Sequence, residues 1–426
     1  MSNIKIALCG DLFISKRFPE NGGGGIWNVL GEHECRFGNL ETTIHRREGY
    51  PAAFPGGGYA MADPNCLIDL KNLGFNLFST ANNHSMDYSC NGLLATIKYL
   101  DECGLSYAGT GKNLADASRP AYYECRDGRV GLIAVTSSFH DSYMAGPQNE
   151  EMMGRPGVNP LRFNSIYELD DERFDILEGI LADTGINNQV KFGEKLGYDT
   201  KSDNLRIGSS YYRFQRGSKC AKHTTPNETD LNRTLGTIKD MRNYTDVIIV
   251  SVHSHQFDGD DQTKTPEFIQ LFSKMCIDAG ANVVVCHGPH VLRGIEAYNK
   301  GIIYYSLGNF IFQNELVHYL PEELYWRYKM TRQTATGPGA LFEKRSKGGT
   351  AGLKQEPDVW RSMMVSMTFN EDKAEIKLIP IYISAKTGWP EISDDISILD
   401  KVKQMSANYN TFVEIDVHRK YAVVKY

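Results

Sequence analysis

The sequence predicts an α/β protein. Short apolar runs that are typical of buried strands alternate with stretches of helical periodicity, and this alternation favours sheets covered by helices. Glycine accounts for 40 of the 426 residues, a share that favours many tight turns between the elements. A hydrophobic content of 41% is ample for a large core and excludes a mostly disordered chain.

The first 135 residues carry three predicted strands and two predicted helices. Each helix ends at a glycine, Gly74 or Gly104, because glycine readily adopts the left-handed conformation that closes a helix. The first helix begins after Asp63-Pro64, an N-cap residue followed by proline at the first helical position. In chain order the predicted elements are Ile4–Cys9 (strand), Asn65–Leu73 (helix), Phe75–Ser79 (strand), Asn91–Cys103 (helix) and Val130–Thr136 (strand).

Residues 140–225 interrupt this alternation. Tyr167–Leu181 has helical spacing, but the rest is polar, and we interpret the segment as an insertion or cap within a single domain spanning residues 1–426. Residues 331–352 are rich in Gly and Lys and predict a mobile loop. The remaining predicted elements are Leu231–Met241 (helix), Val247–Val252 (strand), Thr265–Ala279 (helix), Asn282–Cys286 (strand), Ile302–Leu307 (strand) and a β-hairpin over residues 363–383.

Charge and cysteine usage narrow the class of protein. Lys and Arg number 46 against 52 Asp and Glu, and the net charge of −6 excludes a general binder of nucleic acid or of anionic membranes. Nine cysteines without a C-x-x-C spacing are typical of a reducing compartment. The chain begins directly with a strand, and its apolar runs are far shorter than the ~20 residues of a membrane helix. We therefore expect a cytoplasmic protein without a membrane anchor.

Polar side chains with metal-binding chemistry follow four of these predicted strands and a fifth, Cys35–Phe37. Because α/β sheets bind ligands at the carboxyl ends of their strands, these side chains are expected to converge. Carboxylate, amide and imidazole groups are ligands of Mn²⁺, Fe²⁺ and Zn²⁺. A single such residue is most often a turn or cap residue, whereas five clusters together predict a site for a divalent metal. The clusters are Asp11, Asn39-Leu40-Glu41, Asn82-Asn83-His84, His253 and His287-Gly288-Pro289-His290.

These clusters, taken together, resemble the motifs of a known family. Gly10-Asp11, Asn39-Leu40-Glu41, Asn82-Asn83-His84 with Asp87, His253, Cys286–Val291 and Tyr305–Phe310 are similar to the CapA/PgsA capsule-synthesis (poly-γ-glutamate) family, a branch of the calcineurin-like metallophosphoesterase superfamily. The resemblance covers residues 4–135 and 245–315, and more weakly the hairpin at 363–383. It implies a four-layer α/β/β/α sandwich of two mixed sheets flanked by helices, with a metal centre at their carboxyl edge.

The resemblance also implies roles for individual residues. His84 corresponds to the general acid, and Asp87 would fix the tautomer of its imidazole. The implied metal ligands are Asp11, Glu41, Asn83, His253, His287 and His290. The sequence departs from the superfamily in having Asp11-Leu12-Phe13 in place of Asp-x-His and Glu41 in place of an aspartate. The resemblance therefore leaves open whether one or two metal ions (Mn, Fe or Zn) are bound.

Three further residues are candidates for substrate binding. His255 lies two residues after His253, so both point the same way if the chain is still extended, as a substrate contact, an extra ligand or a solvated loop residue. Arg155 and Arg162 would suit an acidic substrate, because arginine pairs well with carboxylates, although exposed arginines are commoner. The remaining histidines lack a supporting motif and are interpreted as surface residues: His33, His45, His140, His223, His318 and His418.

The first hypothesis is a metal-dependent hydrolase acting on an amide or phosphoester of a polyglutamate-, capsule- or peptide-type substrate. Metal-activated water would attack the bond and His84 would protonate the leaving group. The second is a metal-dependent acid/base enzyme such as a peptide epimerase, a chemistry known among CapA-like proteins. The third is a non-catalytic accessory protein of capsule or poly-γ-glutamate synthesis. The near-complete ligand set argues against the third hypothesis.

Overall fold

The computed structural model of the protein describes residues 3–19, 25–370 and 373–425. The chain divides into two compact units. Unit 1 comprises Met1–Pro160, Asn232–Thr265 and Ser273–Tyr426, and unit 2 comprises Leu161–Leu231 and Pro266–Phe272. Unit 2 lies largely within the segment interpreted as an insertion, but residues 140–160 belong to unit 1.

The strands in chain order are β1 (Asn3–Phe13), β2 (Cys35–Asn39), β3 (Thr43–Ile44), β4 (Met61–Ala62), β5 (Leu77–Ser79), β6 (Ser106–Ala108), β7 (Thr110–Gly111), β8 (Ala121–Cys125), β9 (Gly128–Thr136), β10 (Gly157–Val158), β11 (Phe163–Leu169), β12 (Leu205–Arg206), β13 (Arg213–Arg216), β14 (Ala221–Pro226), β15 (Val247–His253), β16 (Val283–His287), β17 (Ile295–Tyr298), β18 (Gly301–Tyr304), β19 (Asn309–Phe312), β20 (Arg361–Asn370), β21 (Lys373–Ile383), β22 (Pro390–Ile392), β23 (Phe412–Asp416) and β24 (Tyr421–Lys425).

The α-helices are α1 (Ile26–Gly31), α2 (Asn65–Asn72), α3 (Ser89–Glu102), α4 (Leu114–Ala117), α5 (Asp171–Thr184), α6 (Asn188–Leu196), α7 (Glu228–Met241), α8 (Glu267–Ala279), α9 (Glu322–Arg327), α10 (Pro338–Arg345) and α11 (Ser397–Ala407). Short 3₁₀ helices cover Asp141–Tyr143, Asn314–Leu316, Leu353–Gln355 and Pro357–Trp360.

Two mixed sheets form the body of unit 1. The larger has the order β23-β24-β21-β20-β1-β2-β5-β6, with β19 beside β1 and β22 beside β21. The smaller has the order β17-β18-β16-β15-β9-β8. Strands β1, β2, β5 and β6 run parallel, as do β9, β15, β16 and β18. Each sheet therefore presents several carboxyl strand ends at one edge.

The packing of unit 1 has four layers. Because side chains alternate along a strand, Ile6 and Leu8 of β1 join a core shared with β9, β15, β16 and β18 of the smaller sheet. Ala7 and Cys9 join a second core with residues of α1, α2 and α3. On the outer face of the smaller sheet, a Cβ on Gly131 of β9 would lie 2.3 Å from the side chain of Met241 in α7. The predicted α/β/β/α class is confirmed.

Each strand predicted in unit 1 overlaps an observed strand, including the β20–β21 hairpin. Two are shorter than predicted, because β5 begins at Leu77 and β18 ends at Tyr304. The predicted helix at Tyr167–Leu181 is wrong at its start, because residues up to Leu169 form β11 of unit 2. This strand pairs with β13 and β14, and the helix α5 begins only after Asp170, whose side chain accepts a hydrogen bond from the Arg173 N–H. Sheet pairing and this N-cap set a boundary that apolar spacing alone does not show.

The prediction of a loop across residues 331–352 is corrected at 338–345, which form α10. Pro338 occupies the first turn of this helix, where its missing N–H leaves no helical hydrogen bond unmade. Leu341 and Phe342 are buried in the core shared with α1–α3, so packing stabilises a helix that the Gly-rich composition conceals.

Expectations for the remaining histidines, the cysteines and membrane-spanning segments can also be compared with the structure. His33 and His45 are buried, which corrects their interpretation as surface residues. All nine cysteines are free thiols. Among the helices that the structure describes, none has the length and apolarity that crossing a bilayer requires.

Candidate metal centre

The site lies at the carboxyl edge of the two sheets in unit 1. Asp11 belongs to β1, and Glu41 follows the end of β2. His253 and His287 are the last residues of the neighbouring parallel strands β15 and β16 and are paired in register. His290 follows in the next loop with φ +59°, a conformation that is uncommon for residues other than glycine and that is often found in functional sites.

Glycine permits the close approach that places Asp11. A Cβ on Gly10 would lie 1.9 Å from the Gly308 carbonyl oxygen, so β1 can reach this segment only without a side chain there. The Asp11 N–H donates to the same oxygen at 3.1 Å. One Asp11 carboxylate oxygen, Oδ2, accepts a 3.2 Å hydrogen bond from the Gly288 N–H. Asp11 is thus held between the ends of both sheets.

The imidazoles of His253, His287 and His290 surround the carboxylates of Asp11 and Glu41. His287 Nδ1 lies 3.5 Å from Asp11 Oδ1, and His253 Nε2 lies 3.7 Å from Glu41 Oε1. His290 spans the two carboxylates, with Nδ1 3.8 Å from Asp11 Oδ2 and Nε2 4.0 Å from Glu41 Oε1. These separations exceed hydrogen-bond length, so the groups surround a common space instead of bonding to one another.

Several polar atoms in this space are buried without a hydrogen-bond partner among the described residues. They are both carboxylate oxygens of Glu41, Nε2 of His253, Nε2 of His255 and both ring nitrogens of His287. Leaving such groups unpaired costs free energy, most of all for an ionised carboxylate. A divalent cation would satisfy the Glu41 oxygens and one ring nitrogen of each imidazole that faces it, and carboxylates with imidazoles are a donor set that suits Mn²⁺, Fe²⁺ or Zn²⁺. The residues present therefore fit a metal.

Burial shifts the pKa values of the site in two directions. It raises the pKa of Asp11 to about 7, although hydrogen bonds from Asn39 and from the Gly288 N–H act against the shift. Burial raises the pKa of Glu41 well above its usual value, and the negative charges of Asp11 and Asp87 add to the shift. It lowers the pKa of His287 to about 3 and that of His290 to about 4, which keeps both imidazoles neutral, the form that binds metals.

Two asparagines orient the ligands. Asn309 Oδ1 lies 2.9 Å from His290 Nδ1, and its Nδ2 donates to the Val359 carbonyl at 3.0 Å, which fixes the amide orientation. Because this oxygen can only accept, His290 Nδ1 carries the proton and Nε2 presents a lone pair. Asn39 Nδ2 donates to Asp11 Oδ1 at 2.7 Å and lies 3.1 Å from His253 Nδ1.

His84 and Asp87 form a pair beside the cluster. Asp87 Oδ2 accepts from His84 Nδ1 at 2.6 Å. The carboxylate is itself held by the main-chain N–H groups of Gly56 at 2.8 Å and Ala60 at 2.7 Å. This arrangement leaves His84 Nε2 for a substrate, and Phe13 packs edge-on against the ring at 5.0 Å.

A cavity of about 460 Å³ lies over the cluster. It is lined by His84, His255 and His290, by Asn83, and by the glycine segment 56–58. A Cβ on Gly56 would lie 2.5 Å from the Asn83 carbonyl oxygen, so this wall consists of main chain close to the His84 loop. The cluster of candidate ligands is therefore accessible to a small molecule or to part of a larger one.

His255 and Asn83 both face this region. Glu41, His255 and His290 each offer one ligand atom, and these atoms all lie within 4.8 Å of one another. The position beside Glu41 is compatible with an extra ligand, and the position in the cavity wall is compatible with a substrate contact, so both alternatives for His255 stay open. Asn83 Nδ2 donates to the Gly56 carbonyl at 2.7 Å, and its Oδ1 is buried without a partner among the described residues. Their roles stay predictions.

The two arginines named from the sequence have structural contacts. Arg155 Nε donates to the Met144 carbonyl at 2.9 Å. Arg162 belongs to unit 2, where its guanidinium binds both carboxylate oxygens of Asp230 at 2.8 and 2.9 Å. Neither contact involves the cavity, which contains a different arginine, Arg345. Substrate binding by Arg155 or Arg162 stays a prediction without a contact to support it.

Sequence reasoning did not assign roles to Asn39, Asn309 and Arg345. Both asparagines stand inside the motifs Asn39-Leu40-Glu41 and Tyr305–Phe310, so their polar character at strand ends was the available signal. Arg345 had none, because its segment has the composition of a loop.

Comparison with known proteins gives the family. The model described as "Bacterial capsule synthesis protein PGA_cap" matches residues 5–314. The chain belongs to this family. Two proteins of Sinorhizobium fredii (strain NBRC 101917 / NGR234), the uncharacterized y4sH and y4uA, are each 31% identical over 427 residues, which cover 96% of this chain and 90% of theirs.

Two proteins named for capsule or PGA biosynthesis are more distant relatives of this chain. The capsule biosynthesis protein CapA of Bacillus anthracis is 26% identical across 60% of this chain and 46% of its own. The PGA biosynthesis protein CapA of Bacillus subtilis (strain 168) is 25% identical across 65% of this chain and 52% of its own. A solved structure described as a putative 5′-nucleotidase from Staphylococcus aureus aligns with 95% of this chain and 58% of its own at 11% identity and a TM-score of 0.37, a likeness too low to bear on activity.

Proposed function

We propose that this PGA_cap family member is a metal-dependent hydrolase that cleaves an amide or phosphoester bond. The observation that carries the proposal is the buried cluster of Asp11, Glu41, His253, His287 and His290 beneath an open cavity. In this cluster, ligand atoms of Glu41, His253 and His287 have no hydrogen-bond partner among the described residues. A purely structural cluster of buried polar groups would be hydrogen-bonded internally. This one has the composition of a metal centre and a route for a substrate to reach it.

A divalent ion bound there would supply a Lewis acid and an activated water nucleophile. The protein's own residues supply proton transfer. Asp87 holds His84 Nδ1–H and stabilises the imidazolium, so Nε2 can donate its proton to the leaving group. Phe13 and the main chain of Gly56–Gly58 limit the positions that the ring and the substrate can occupy.

The substrate that we propose is of polyglutamate, capsule or peptide type. Support comes from the family match and from the capsule and PGA biosynthesis roles in the names of the two CapA relatives. The fold itself does not select the bond, because one architecture serves many reactions.

Elemental analysis of the purified chain, followed by an activity screen with the metal found, tests the proposal. We expect at least one Mn, Fe or Zn ion per chain and hydrolysis of either γ-linked glutamyl peptides or phosphoesters. A chain that binds none of these ions after reconstitution, with unchanged melting temperature, would contradict the metal centre. A metal-loaded chain that hydrolyses neither class would contradict the hydrolase and leave the accessory role.

One observation favours a second candidate, a metal-dependent peptide epimerase. His84 and His255 both line the cavity, so two imidazoles face the same space, and a pair of bases can remove and return a Cα proton. The same screen run in D₂O separates the two functions. Deuterium at Cα of an uncleaved peptide would identify the epimerase, whereas hydrolysis without exchange would identify the hydrolase.

A further inference from the structure

The cavity over the cluster of candidate metal ligands has one permanently charged side chain in its wall, Arg345. Its remaining lining consists of imidazoles, apolar and amide side chains and glycines, and no aspartate, glutamate or lysine is among the described residues that line it. Arg345 is the last residue of α10 and is half-buried. Its guanidinium lies 5.2 Å from the centre of the Phe342 ring.

Among the described residues, Arg345 has no carboxylate partner, whereas Arg17 and Lys354 of unit 1 each have one. Arg17 binds Asp69. Arg345 also lines a smaller neighbouring pocket together with Lys354 and Glu315, and there Lys354 pairs with Glu315 at 3.5 Å. No Asp or Glu of the described ranges lies within ion-pair distance of Arg345. A half-buried cation without a counter-charge loses hydration without an ionic partner to replace it, and this favours an anionic ligand at that position.

The guanidinium is presented from a fixed element. Leu341 and Phe342 anchor α10 in the hydrophobic core, and the ring of Phe342 supports the guanidinium by a cation–π contact. A binding group on an anchored helix needs little ordering when a ligand arrives. The same cavity contains His84 and His290, so a ligand held by Arg345 shares its space with the proposed reaction centre.

We propose that Arg345 binds an oxyanion of the substrate, either a carboxylate or a phosphate. This oxyanion would lie next to the bond to be cleaved at the cluster of candidate metal ligands. The planar fork of Arg345 matches both groups with two parallel hydrogen bonds. The inference rests on the proposed function for the reaction and deepens it by naming an acidic substrate. A glutamyl residue beside the reacting bond would supply the carboxylate, and a phosphoester would supply the phosphate.

Direct binding measurements on the metal-loaded chain test this role. The probes are γ-linked triglutamate, the same peptide with its carboxylates amidated, and phenyl phosphate. Arg345→Gln should weaken binding of one or both anionic probes roughly 10- to 100-fold, the range expected for losing hydrogen bonds between charged groups. Arg345→Lys should recover part of this loss. The anionic probe that loses affinity identifies the carboxylate or the phosphate as the recognised group.

Lys344→Gln is the matched control, because it removes one positive charge from the neighbouring residue, which is exposed and is not among the residues lining the cavity. It should change binding of the anionic probes less than 2-fold, roughly the size of a screened surface effect. Binding of the amidated peptide should be the same in all variants, and equal melting temperatures would show that folding is intact.

The inference is overturned if Arg345→Gln binds both anionic probes as the wild type does, if Lys344→Gln loses as much affinity, or if the wild type binds neither probe. Because binding is measured without turnover, its failure is separable from failure of the proposed function. Arg345-dependent binding without hydrolysis would contradict the hydrolase alone, and hydrolysis insensitive to Arg345→Gln would contradict the anion site alone.

Discussion

Two pairs of buried histidines differ in the hydrogen-bond partners of their rings. His253 and His287 stand at the ends of β15 and β16, and neither ring is exposed. His33 and His45 lie elsewhere in unit 1 and are buried to 4% and 1% exposure. The second pair is hydrogen-bonded at both ring nitrogens: His33 to the Val29 carbonyl and Ser366 Oγ, at 3.0 and 2.7 Å, and His45 to the Arg47 N–H and Thr43 Oγ1, at 3.1 and 3.2 Å.

The difference between the groups is their partners. Burial lowers the pKa of His287 to about 3 and that of His45 to about 4, so neither burial nor a shifted pKa distinguishes a ligand from a packed side chain. Both ring nitrogens of His287 and Nε2 of His253 lack a hydrogen-bond partner among the described residues. A buried donor or acceptor that the protein itself leaves unpaired is the feature that indicates an external ligand.

The sharpest test of this comparison is His287→Ala. It removes an imidazole from the cluster, and we expect metal content to fall to a small fraction of the wild-type value. Losing the metal removes several kcal/mol of transition-state stabilisation, so the rate should fall roughly 10³-fold or more. Metal analysis and turnover on one preparation measure both effects.

His33→Ala is the matched control, because it deletes an equally buried but hydrogen-bonded imidazole. Metal content should be unchanged, while the free energy of unfolding falls by about 1–3 kcal/mol as Ser366 and the Val29 carbonyl lose a partner. If His33→Ala loses metal as His287→Ala does, hydrogen-bond partners do not separate the two groups.

His84→Ala should separate proton transfer from metal binding. His84 is bonded to Asp87 beside the cluster, so the metal should remain while the rate falls about 10²–10⁴-fold. Asp87→Asn should be milder, since it mainly misorients the ring. Loss of metal from His84→Ala equal to that from His287→Ala would make His84 a ligand, and full activity with metal retained would move the proton carrier to His255.

Asn309→Ala should have an intermediate effect. The residue is hydrogen-bonded to His290 and to the Val359 carbonyl, and it fixes the tautomer of His290. A residue that holds a metal ligand by a hydrogen bond typically contributes roughly 10- to 100-fold to metal affinity. Competition with a chelator measures the change, and Asn314→Ala, at the cavity rim, is the control that should leave metal affinity as it is.

The sequence predicted the cluster better than its surroundings. Asp11, His253 and His287 are each encoded locally, by a polar residue at the end of an apolar run, and parallel pairing then brings the strand ends together. Asn309 reaches His290 only because β19 pairs with β1, a contact that no local pattern encodes. The helix containing Arg345 depends likewise on packing of Leu341 and Phe342 against distant residues.

The burial of His33 and His45 is likewise not encoded in the local sequence. The sequence around His33 and His45 contains no ligand motif, and the absence of a motif led to the wrong prediction that both residues are exposed. Their burial follows from tertiary partners such as Ser366, 333 residues away from His33. Local polarity thus predicts what a residue can bind, whereas the partners that determine whether it is free to bind lie far along the chain.

The smallest expected effect concerns the pH dependence of stability at His45. Its neutral Nδ1 accepts the Arg47 N–H, and burial lowers the pKa of the folded-state imidazole from 6.5 to about 4. Below pH 6.5 the unfolded chain binds a proton that the folded chain does not, so this residue's stabilising contribution is complete above pH 6.5 and declines as pH falls toward 4.

His45→Gln, which does not titrate, should therefore have a lower melting temperature than the wild type at pH 7.5. The difference in melting temperature should narrow by a few degrees at pH 5. Melting both proteins with chelator present removes metal binding from the comparison, and a difference that stays constant or widens toward pH 5 would contradict a neutral, hydrogen-bonded His45.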